Sequence, residues 1–268
     1  MRNLIYQYWI GRVENLAHAG KETMENYAKS IGAEYRFDQD PTFIRDKYKL
    51  EPHLASHMSA LRPVFDPEFH EYDNVMYIDC DIFPVEGCSA NIFDEEIGDM
   101  AVCQEPHMPK LRSTMGGFED EKWARHVKNL YGKDMPRTEE GLLKVYNSGL
   151  VIYSKRGMKK AIKSFTPISE FCSKFKSNFS RPLYYRDQAY VHAMLEVGGM
   201  DWKELNSDWN SQLHWKPNTS GKNRPVIDMR TPTTKFVHIQ LSGSGEWDIG
   251  IANHVVNNKP SEWKISSV

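Results

Sequence analysis

Short apolar runs alternate with amphipathic stretches along most of the chain, and this pattern predicts an α/β fold. Residues 4–10 are apolar and aromatic, as in a first strand. Apolar residues then recur every three or four positions over about 15–31, which predicts a helix that ends at Gly32. Residues 33–37 alternate between apolar and polar side chains, which predicts a second strand. The order strand, helix, strand indicates the opening of a βαβ unit.

Residues 72–81, with the sequence YDNVMYIDCD, lie at the centre of the predicted fold. The continuous apolar run 75–78 is typical of a strand that is buried on both faces of a mainly parallel sheet. Asp79 and Asp81 follow directly, at the edge of the sheet where open α/β folds bind ligands. Two carboxylates beside a diphosphate are ligands that suit Mg²⁺ or Mn²⁺. An acid that only caps a turn is the simpler alternative.

Polar segments follow the next predicted elements. A helical pattern begins at Pro52 and carries Arg62 near its C-terminal end. Residues 105–143 are mostly polar and contain one amphipathic segment at about 123–131. Long polar excursions in compact domains are usually lids or binding loops, so we expect this stretch to contribute to ligand binding.

Three further polar positions stand out in the second half of the chain. The predicted strand 145–153 is interrupted by Asn147, Ser148 and a glycine. Small polar residues inside an apolar strand indicate a β-bulge or an approaching ligand. Asp187 and Gln188 open a later helix, where an acid also stabilises the helix N-terminus. His238 lies on a last predicted strand, 235–240.

Length and charge exclude several classes of function. With 268 residues the chain can form one large domain, and its formal net charge of −2 gives no electrostatic reason to expect nucleic acid as a partner. No run approaches the ~20 apolar residues of a membrane-spanning helix. The first residues lack the apolar core and cleavage site of a signal peptide, so we expect a cytoplasmic protein. The four cysteines form no CxxC pair and predict reduced thiols.

The polar motifs occur in an order that resembles a known family. The chain has an arginine on a helix, then YDxVxYIDxD, an NSGL strand, an acid–glutamine pair, an LNxxWN turn and a late VH strand. This order is similar to that of metal-dependent glycosyltransferases of the GT-A fold, especially the retaining enzymes related to glycogenin and to bacterial lipopolysaccharide galactosyltransferases. The resemblance covers about 4–245. It implies one Rossmann-like domain, 1–268, with a mainly parallel central sheet flanked by helices.

The resemblance also implies a reaction. A hexose would move from a nucleotide-diphosphate sugar, with a UDP-sugar favoured, to a glycan or another hydroxyl acceptor with retention of configuration. Residues 1–104 would form the nucleotide-binding half, and 105–268 the acceptor-binding and catalytic half. Asp79, Asp81 and His238 would bind the cofactor, Mn²⁺ or alternatively Mg²⁺.

Further site residues follow from the same resemblance. Asp187 would accept hydrogen bonds from sugar hydroxyls, Gln188 would lie beneath the anomeric carbon, and Arg62 would contact the sugar and phosphate. These three form the implied catalytic set. The implied donor-binding set joins the end of the first strand, the DxD motif, the NSGL strand and two of these residues: Tyr8, Trp9, Ile10, Arg62, Asp79, Cys80, Asn147, Ser148 and Asp187.

One departure from the family keeps other functions open. The family has a lysine near the end of the domain that binds the diphosphate, but residues 239–247 contain none. The leaving group would then be stabilised by the metal, by Arg62 or by another lysine. A non-catalytic carbohydrate-binding protein is one alternative. A haloacid-dehalogenase-type phosphatase with Asp79 as nucleophile is another, although it would need a second acidic pair, and none follows Val237.

Overall fold

The computed structural model describes residues 1–13, 15–114, 118–215 and 227–241. Its strands are β1 (Asn3–Trp9), β2 (Glu34–Gln39), β3 (Asn74–Ile78), β4 (Ile82–Pro84), β5 (Met100–Gln104), β6 (Tyr146–Ser154), β7 (Trp202–Leu205), β8 (Ser211–Trp215), β9 (Ile227–Asp228) and β10 (Phe236–Leu241). Its α-helices are α1 (Asn15–Ser30), α2 (Phe43–Tyr48), α3 (Pro52–Met58), α4 (Arg62–Phe65), α5 (Met108–Thr114), α6 (Asp120–Tyr131), α7 (Lys155–Ser164), α8 (Ile168–Lys176) and α9 (Asp187–Val197). None of the helices in these ranges is long and apolar enough to cross a membrane.

The central sheet has six strands in the order β2-β1-β3-β6-β5-β7. Its neighbouring strands are parallel except at β6, which runs antiparallel to both β3 and β5. Alternate residues of β1 point to opposite faces. Leu4 and Tyr6 pack in the larger hydrophobic core and Ile5 in the smaller one, so both faces of the sheet are covered. The predicted α/β fold with a mainly parallel central sheet is confirmed.

A second sheet of four strands, ordered β4-β10-β8-β9, packs against the end of β3. Strand β10 runs antiparallel to β4, and His238 lies opposite Ile82. The Ile239 amide also donates a hydrogen bond to the Asp81 carbonyl over 2.9 Å. This pairing carries the late histidine to the acidic residues that follow β3.

Two predicted elements differ in detail. The helix predicted from Pro52 onward is divided into α3, a 3₁₀ turn (Ser59–Leu61) and α4. Pro63 has no amide hydrogen to donate, which prevents one continuous helix. The polar excursion 105–143 contains α5 and α6, and α6 buries Trp123 and Val127 in the larger core. Helix α6 is therefore part of the core on one face and solvated on the other.

The interruption in the predicted strand 145–153 is a β-bulge. The register between β5 and β6 shifts after Val102, so that Val102 pairs with Val151 while Cys103 pairs with Asn147.

The four cysteines are free thiols. Residues 242–247, part of the stretch that lacks the family's lysine, lie outside the described residues.

His192 on α9 is a histidine enclosed by aromatic side chains. Its ring centroid lies 5.1 Å from that of Trp123 and 5.2 Å from that of Tyr146, and the residue is 6% exposed. Burial, with a smaller contribution from Arg112, lowers the pKa of His192 to about 3. The neutral imidazole is therefore the form that the folded protein accepts.

We predict that His192 makes the protein sensitive to acid. Because its pKa is lowered on folding, the unfolded chain takes up a proton first as the pH falls below 6.5, and stability is lost from there toward pH 3. At pH 5 the loss should be ~2 kcal/mol relative to pH 7.5. Urea unfolding of wild type and His192→Phe at both pH values measures it. Equal pH dependence in the two proteins would contradict the prediction.

Candidate active site

The backbone at the end of β3 is held from both sides. The Asp79 amide donates to the Gly149 carbonyl on β6 over 2.7 Å, and the Gln7 side chain on β1 donates to the Asp79 carbonyl over 3.1 Å. The Ile82 amide closes a turn onto the same carbonyl over 3.2 Å. This turn places the Asp79 and Asp81 side chains at one edge of the central sheet.

Asp79, Asp81 and His238 form a cluster with the composition of a metal site. One ligand atom from each of the three lies within 4.8 Å of the other two. His238 Nε2 lies 3.3 Å from Asp81 Oδ1. The structure thus brings together the three residues that the sequence predicts as metal ligands.

A chain of hydrogen bonds determines which imidazole nitrogen faces the carboxylates. The Gly149 backbone amide is a fixed donor, and it donates to Asn147 Oδ1 over 2.8 Å. Asn210 Nδ2 donates to the same oxygen over 3.0 Å, so Asn210 Oδ1 must be the acceptor for His238 Nδ1, 3.0 Å away. Nε2 is therefore the nitrogen that points to Asp81. An imidazole whose Nδ1 hydrogen is held in this way is oriented for metal binding through Nε2.

The charges in the cluster favour a cation between them. Burial, followed by the charge of Asp81, raises the pKa of Asp79 to about 7, although His238 and the Tyr77 hydroxyl oppose this. The Tyr77 hydroxyl donates to Asp79 Oδ1. Burial lowers the pKa of His238, but the charge and hydrogen bond of Asp81, together with the charges of Asp79 and Glu105, raise this pKa overall. Two close carboxylates and an oriented imidazole fit a divalent ion, which would relieve their repulsion.

The NSGL motif requires glycine at position 149 for a steric reason. A Cβ atom at Gly149 would lie 2.5 Å from Asp79 Oδ2 and 2.7 Å from Asn147 Oδ1. Both distances are shorter than any ordinary contact, so only glycine allows these two side chains to occupy their positions. The polar triplet 147–149 therefore forms a β-bulge, and the carboxylate of Asp79 approaches its backbone closely at Gly149.

The residues predicted to contact the sugar meet beside this cluster. Ser148 Oγ donates to Asp187 Oδ2 over 2.7 Å, which joins β6 to the first turn of α9. Gln188 Nε2 lies 3.4 Å from Glu105 Oε1, which also accepts a hydrogen bond from Asn147 Nδ2 over 2.7 Å. Hydrogen bonds thus connect the NSGL strand, the acid–glutamine pair and His238.

Sequence reasoning did not assign roles to Glu105 and Asn210. Glu105 follows β5, is 2% exposed and has no ion pair among the described residues. The rule that selected Asp79, an acid directly after a buried strand, also applies to Glu105. Asn210 is the last residue of the LNxxWN motif, and its hydrogen bonds to Asn147 and His238 give that motif a structural role.

The end of β1 lies beside the acidic turn. The Tyr8 ring stacks on Tyr77, with centroids 5.6 Å apart, and the Tyr8 carbonyl accepts a hydrogen bond from Cys80 Sγ over 3.4 Å. Trp9 is half-buried, and its indole donates to the Arg12 carbonyl over 2.9 Å. Ile10 is 42% exposed. These positions are compatible with the predicted role of β1 in binding the nucleotide.

Arg62 lies in a different cluster. Its guanidinium pairs with Asp38, with Asp66 over 2.7 Å and with Glu68 over 3.4 Å. The side chain is 12% exposed, and its guanidinium carbon also lies 5.5 Å from the centre of the Phe69 ring. The structure does not join Arg62 to the cluster around Asp79, and its role in donor binding stays a prediction.

We predict that Gly149→Ala weakens metal binding without unfolding the protein. The added methyl group must displace the carboxylate of Asp79 or the amide of Asn147. Calorimetric titration with Mn²⁺ in the presence of UDP should show an affinity at least ~10-fold lower than wild type. Gly141→Ala is a control for lost stability: at a φ of +82° the added methyl group strains the backbone, but it meets no atom within 4 Å and leaves the metal cluster untouched. Equal Mn²⁺ affinity in Gly149→Ala and wild type would contradict the assignment.

Comparison with known proteins agrees with this geometry. No protein-family model and no curated protein matches the chain. Among solved structures it is similar to the galactosyltransferase LgtC in complex with donor and acceptor sugar analogues, with a TM-score of 0.55 and 13% identity over 97% of this chain and 98% of the other. A variant of LgtC, in which an active-site glutamine is replaced by glutamate, gives a TM-score of 0.50 and 12% identity over 97% and 98%.

A eukaryotic protein has the same architecture. Mouse xyloside xylosyltransferase 1, in its apo form, is similar with a TM-score of 0.51 and 13% identity over 89% of this chain and 97% of the other. All these similarities extend over nearly the full length of both chains. The chain therefore has the GT-A fold of these glycosyltransferases, and the resemblance seen in the sequence is confirmed at the level of the fold.

Proposed function

We propose that this chain is a metal-dependent glycosyltransferase that moves a hexose from a nucleotide-diphosphate sugar, with a UDP-sugar favoured, to a hydroxyl acceptor. The observation that carries the proposal is the convergence of Asp79, Asp81 and His238 at the end of the central strand of a GT-A fold. A phosphatase of the haloacid dehalogenase type is not favoured, because the solved structures that the chain resembles are transferases.

The ligand set indicates which ion the site would hold. When bound, the ion would neutralise the charge that develops on the diphosphate as the sugar–phosphate bond breaks. Asp79 and Asp81 offer oxygen and His238 offers nitrogen, and an imidazole ligand favours Mn²⁺ over Mg²⁺. Asn210 keeps the His238 ring in orientation by accepting the hydrogen bond of Nδ1.

Asp187 is the residue that we assign to the sugar. One of its carboxylate oxygens accepts from Ser148, and the other faces the His57 imidazole at 4.0 Å, too far for a hydrogen bond. That second oxygen can accept from a hydroxyl of the donor sugar. Such a hydrogen bond would strengthen as the sugar gains positive character in the transition state, and this difference is what accelerates the reaction.

Gln188 is assigned to the face of the sugar at which the bond breaks. Its amide nitrogen is directed toward the buried carboxylate of Glu105, which leaves the amide oxygen available to the substrate. The LgtC variant with a changed active-site glutamine supports a role for glutamine in a relative of similar fold. Retention of configuration is part of the proposal and rests on the family resemblance.

A screen of donors tests the proposed function. The chain is heated with UDP-, GDP- and dTDP-sugars, with and without Mn²⁺, because a ligand that binds only the folded state raises the melting temperature. We expect the largest rise with a UDP-sugar plus Mn²⁺, and slow hydrolysis of that donor that stops with EDTA. If no nucleotide sugar raises the melting temperature, the transferase proposal is wrong. Turnover of p-nitrophenyl phosphate would favour the phosphatase.

We predict that Asp187→Asn lowers turnover while donor binding is largely kept. The amide retains the shape of the carboxylate but loses its charge, so the hydrogen bond that strengthens in the transition state is weakened. The kcat for donor hydrolysis should fall by ~100-fold or more, whereas the Kd of the donor should change little. Ser148→Ala removes the neighbouring hydroxyl and should have a smaller effect. An unchanged kcat in Asp187→Asn would remove Asp187 from the mechanism.

A further inference from the structure

A surface groove leads from solvent toward the residues assigned to the sugar. It has a volume of about 550 Å³ and lies between α5 and the start of α6, where Arg112, Phe118 and Arg125 line it. A small cavity of about 20 Å³ shares part of this wall and is lined by Gln188 and His192 on α9. Arg112 lines both spaces. The groove therefore approaches the proposed active site from the side of the 105–143 segment.

Arg112 is a buried cation with incomplete hydrogen bonding. The residue is 8% exposed, and its ion pair is a long one, 3.4 Å from Nη1 to Asp120 Oδ1. Its Nε has no partner among the described residues, and the same holds for Trp123 Nε1 and His192 Nε2 on the walls of the small cavity. Burying a guanidinium without full pairing is costly. The small cavity has room for about one water molecule, so a larger partner must come from the groove.

A second arginine converges on the same place. The guanidinium carbon of Arg112 lies 5.6 Å from the centre of the Phe118 ring, and that of Arg181 lies 4.9 Å from it. Arg181 is exposed and has no ion pair among the described residues. Because both guanidinium groups lie against one ring of the groove, their positive charges act on the same part of it.

The acids of the groove are already engaged by other groups. Glu121 forms two hydrogen bonds of 2.8 Å with Arg137. Glu119 pairs with Lys122 over 3.3 Å. Asp120 accepts from the Tyr184 hydroxyl over 2.9 Å in addition to its long contact with Arg112. The positive charge of the two arginines is therefore only partly compensated within the described residues.

We infer that this groove binds an anionic group of the acceptor, a carboxylate or a phosphate, through Arg112 and Arg181. The inference rests on the proposed function, because it takes the ligand to be the hydroxyl acceptor of the transfer. A guanidinium fork binds such oxygens through two parallel hydrogen bonds, which gives selectivity for charged over neutral sugars. An acceptor held there would extend along the groove toward Gln188.

The test compares charged and neutral sugars that otherwise match. Phenyl β-D-glucuronide carries a carboxylate, glucose 6-phosphate carries a phosphate, and phenyl β-D-glucoside and glucose are their neutral counterparts. Calorimetric titration into the full chain with UDP and Mn²⁺ should show at least one charged probe binding ~10-fold more tightly than its counterpart. The charged probe with the larger preference identifies the anionic group.

Variants decide whether the two arginines cause the preference. Arg112→Gln and Arg181→Gln should each reduce this ratio of affinities toward one. Arg45→Gln, which changes an exposed arginine of α2 that does not line the groove, should leave it unchanged. Arg181→Gln is an exposed substitution, so it carries the test even if Arg112→Gln fails to fold. Equal binding of charged and neutral probes to wild type, or an unchanged preference in both variants, would overturn the inference.

Titrations of UDP, GDP and dTDP with Mn²⁺ into the same proteins separate this inference from the proposed function. If UDP and Mn²⁺ bind normally but the charged sugars are not preferred, the groove inference is wrong and the transferase proposal stands. If neither UDP nor GDP nor dTDP binds with Mn²⁺, the transferase proposal is wrong, and with it the identification of the groove as an acceptor site.

Discussion

A single backbone amide determines the arrangement of the candidate active site. The Gly149 N–H can only donate, and because it donates to Asn147 Oδ1, it sets the direction of every hydrogen bond that follows. Asn210 must present its nitrogen to Asn147 and its oxygen to His238, so the imidazole turns Nε2 to Asp81. Buried networks of this kind hold a unique geometry only when every member is satisfied. The candidate metal ligand His238 is therefore oriented by groups that lie outside the cluster.

The same network requires two sheets to pack together. Asp79 and Asp81 follow the central strand β3, whereas His238 belongs to β10 of the smaller sheet. The hydrogen bond from the Ile239 amide to the Asp81 carbonyl joins them. On the opposite side, the buried carboxylate of Glu105 receives the Asn147 amide and approaches Gln188. The position of one asparagine thus influences both the metal cluster and the helix assigned to the sugar.

Much of this arrangement could be predicted from the sequence, for a physical reason. A buried strand is continuously apolar, so polar residues at its end or inside it are conspicuous, and this selected Asp79, Asp81 and Asn147. Glu105 and Asn210 were not assigned because their roles depend on contacts between segments that are distant in sequence. The β5–β6 bulge and the pairing of strands in the second sheet bring their hydrogen-bond partners to them.

The surroundings of Arg62 could not be predicted from the sequence. The family resemblance implies a role in donor binding for Arg62, but a resemblance between motifs carries no information about the acids that the fold places around this residue. In the structure Asp38, Asp66 and Glu68 compensate its charge. A paired guanidinium is a weaker ligand for a diphosphate than a free one, because the existing partners must first be displaced.

The central claim is that a nucleotide diphosphate and a divalent ion bind together at Asp79, Asp81 and His238. Calorimetric titration of UDP into wild type and Asp81→Ala, each with and without Mn²⁺, tests it most directly. Since coupling between two ligands is reciprocal, Mn²⁺ should tighten UDP binding to wild type, and UDP should tighten Mn²⁺ binding by the same factor. Asp81→Ala should stay folded, because its side chain lies at the edge of the sheet, and should lose this coupling. Equal UDP affinities in all four titrations would contradict the account.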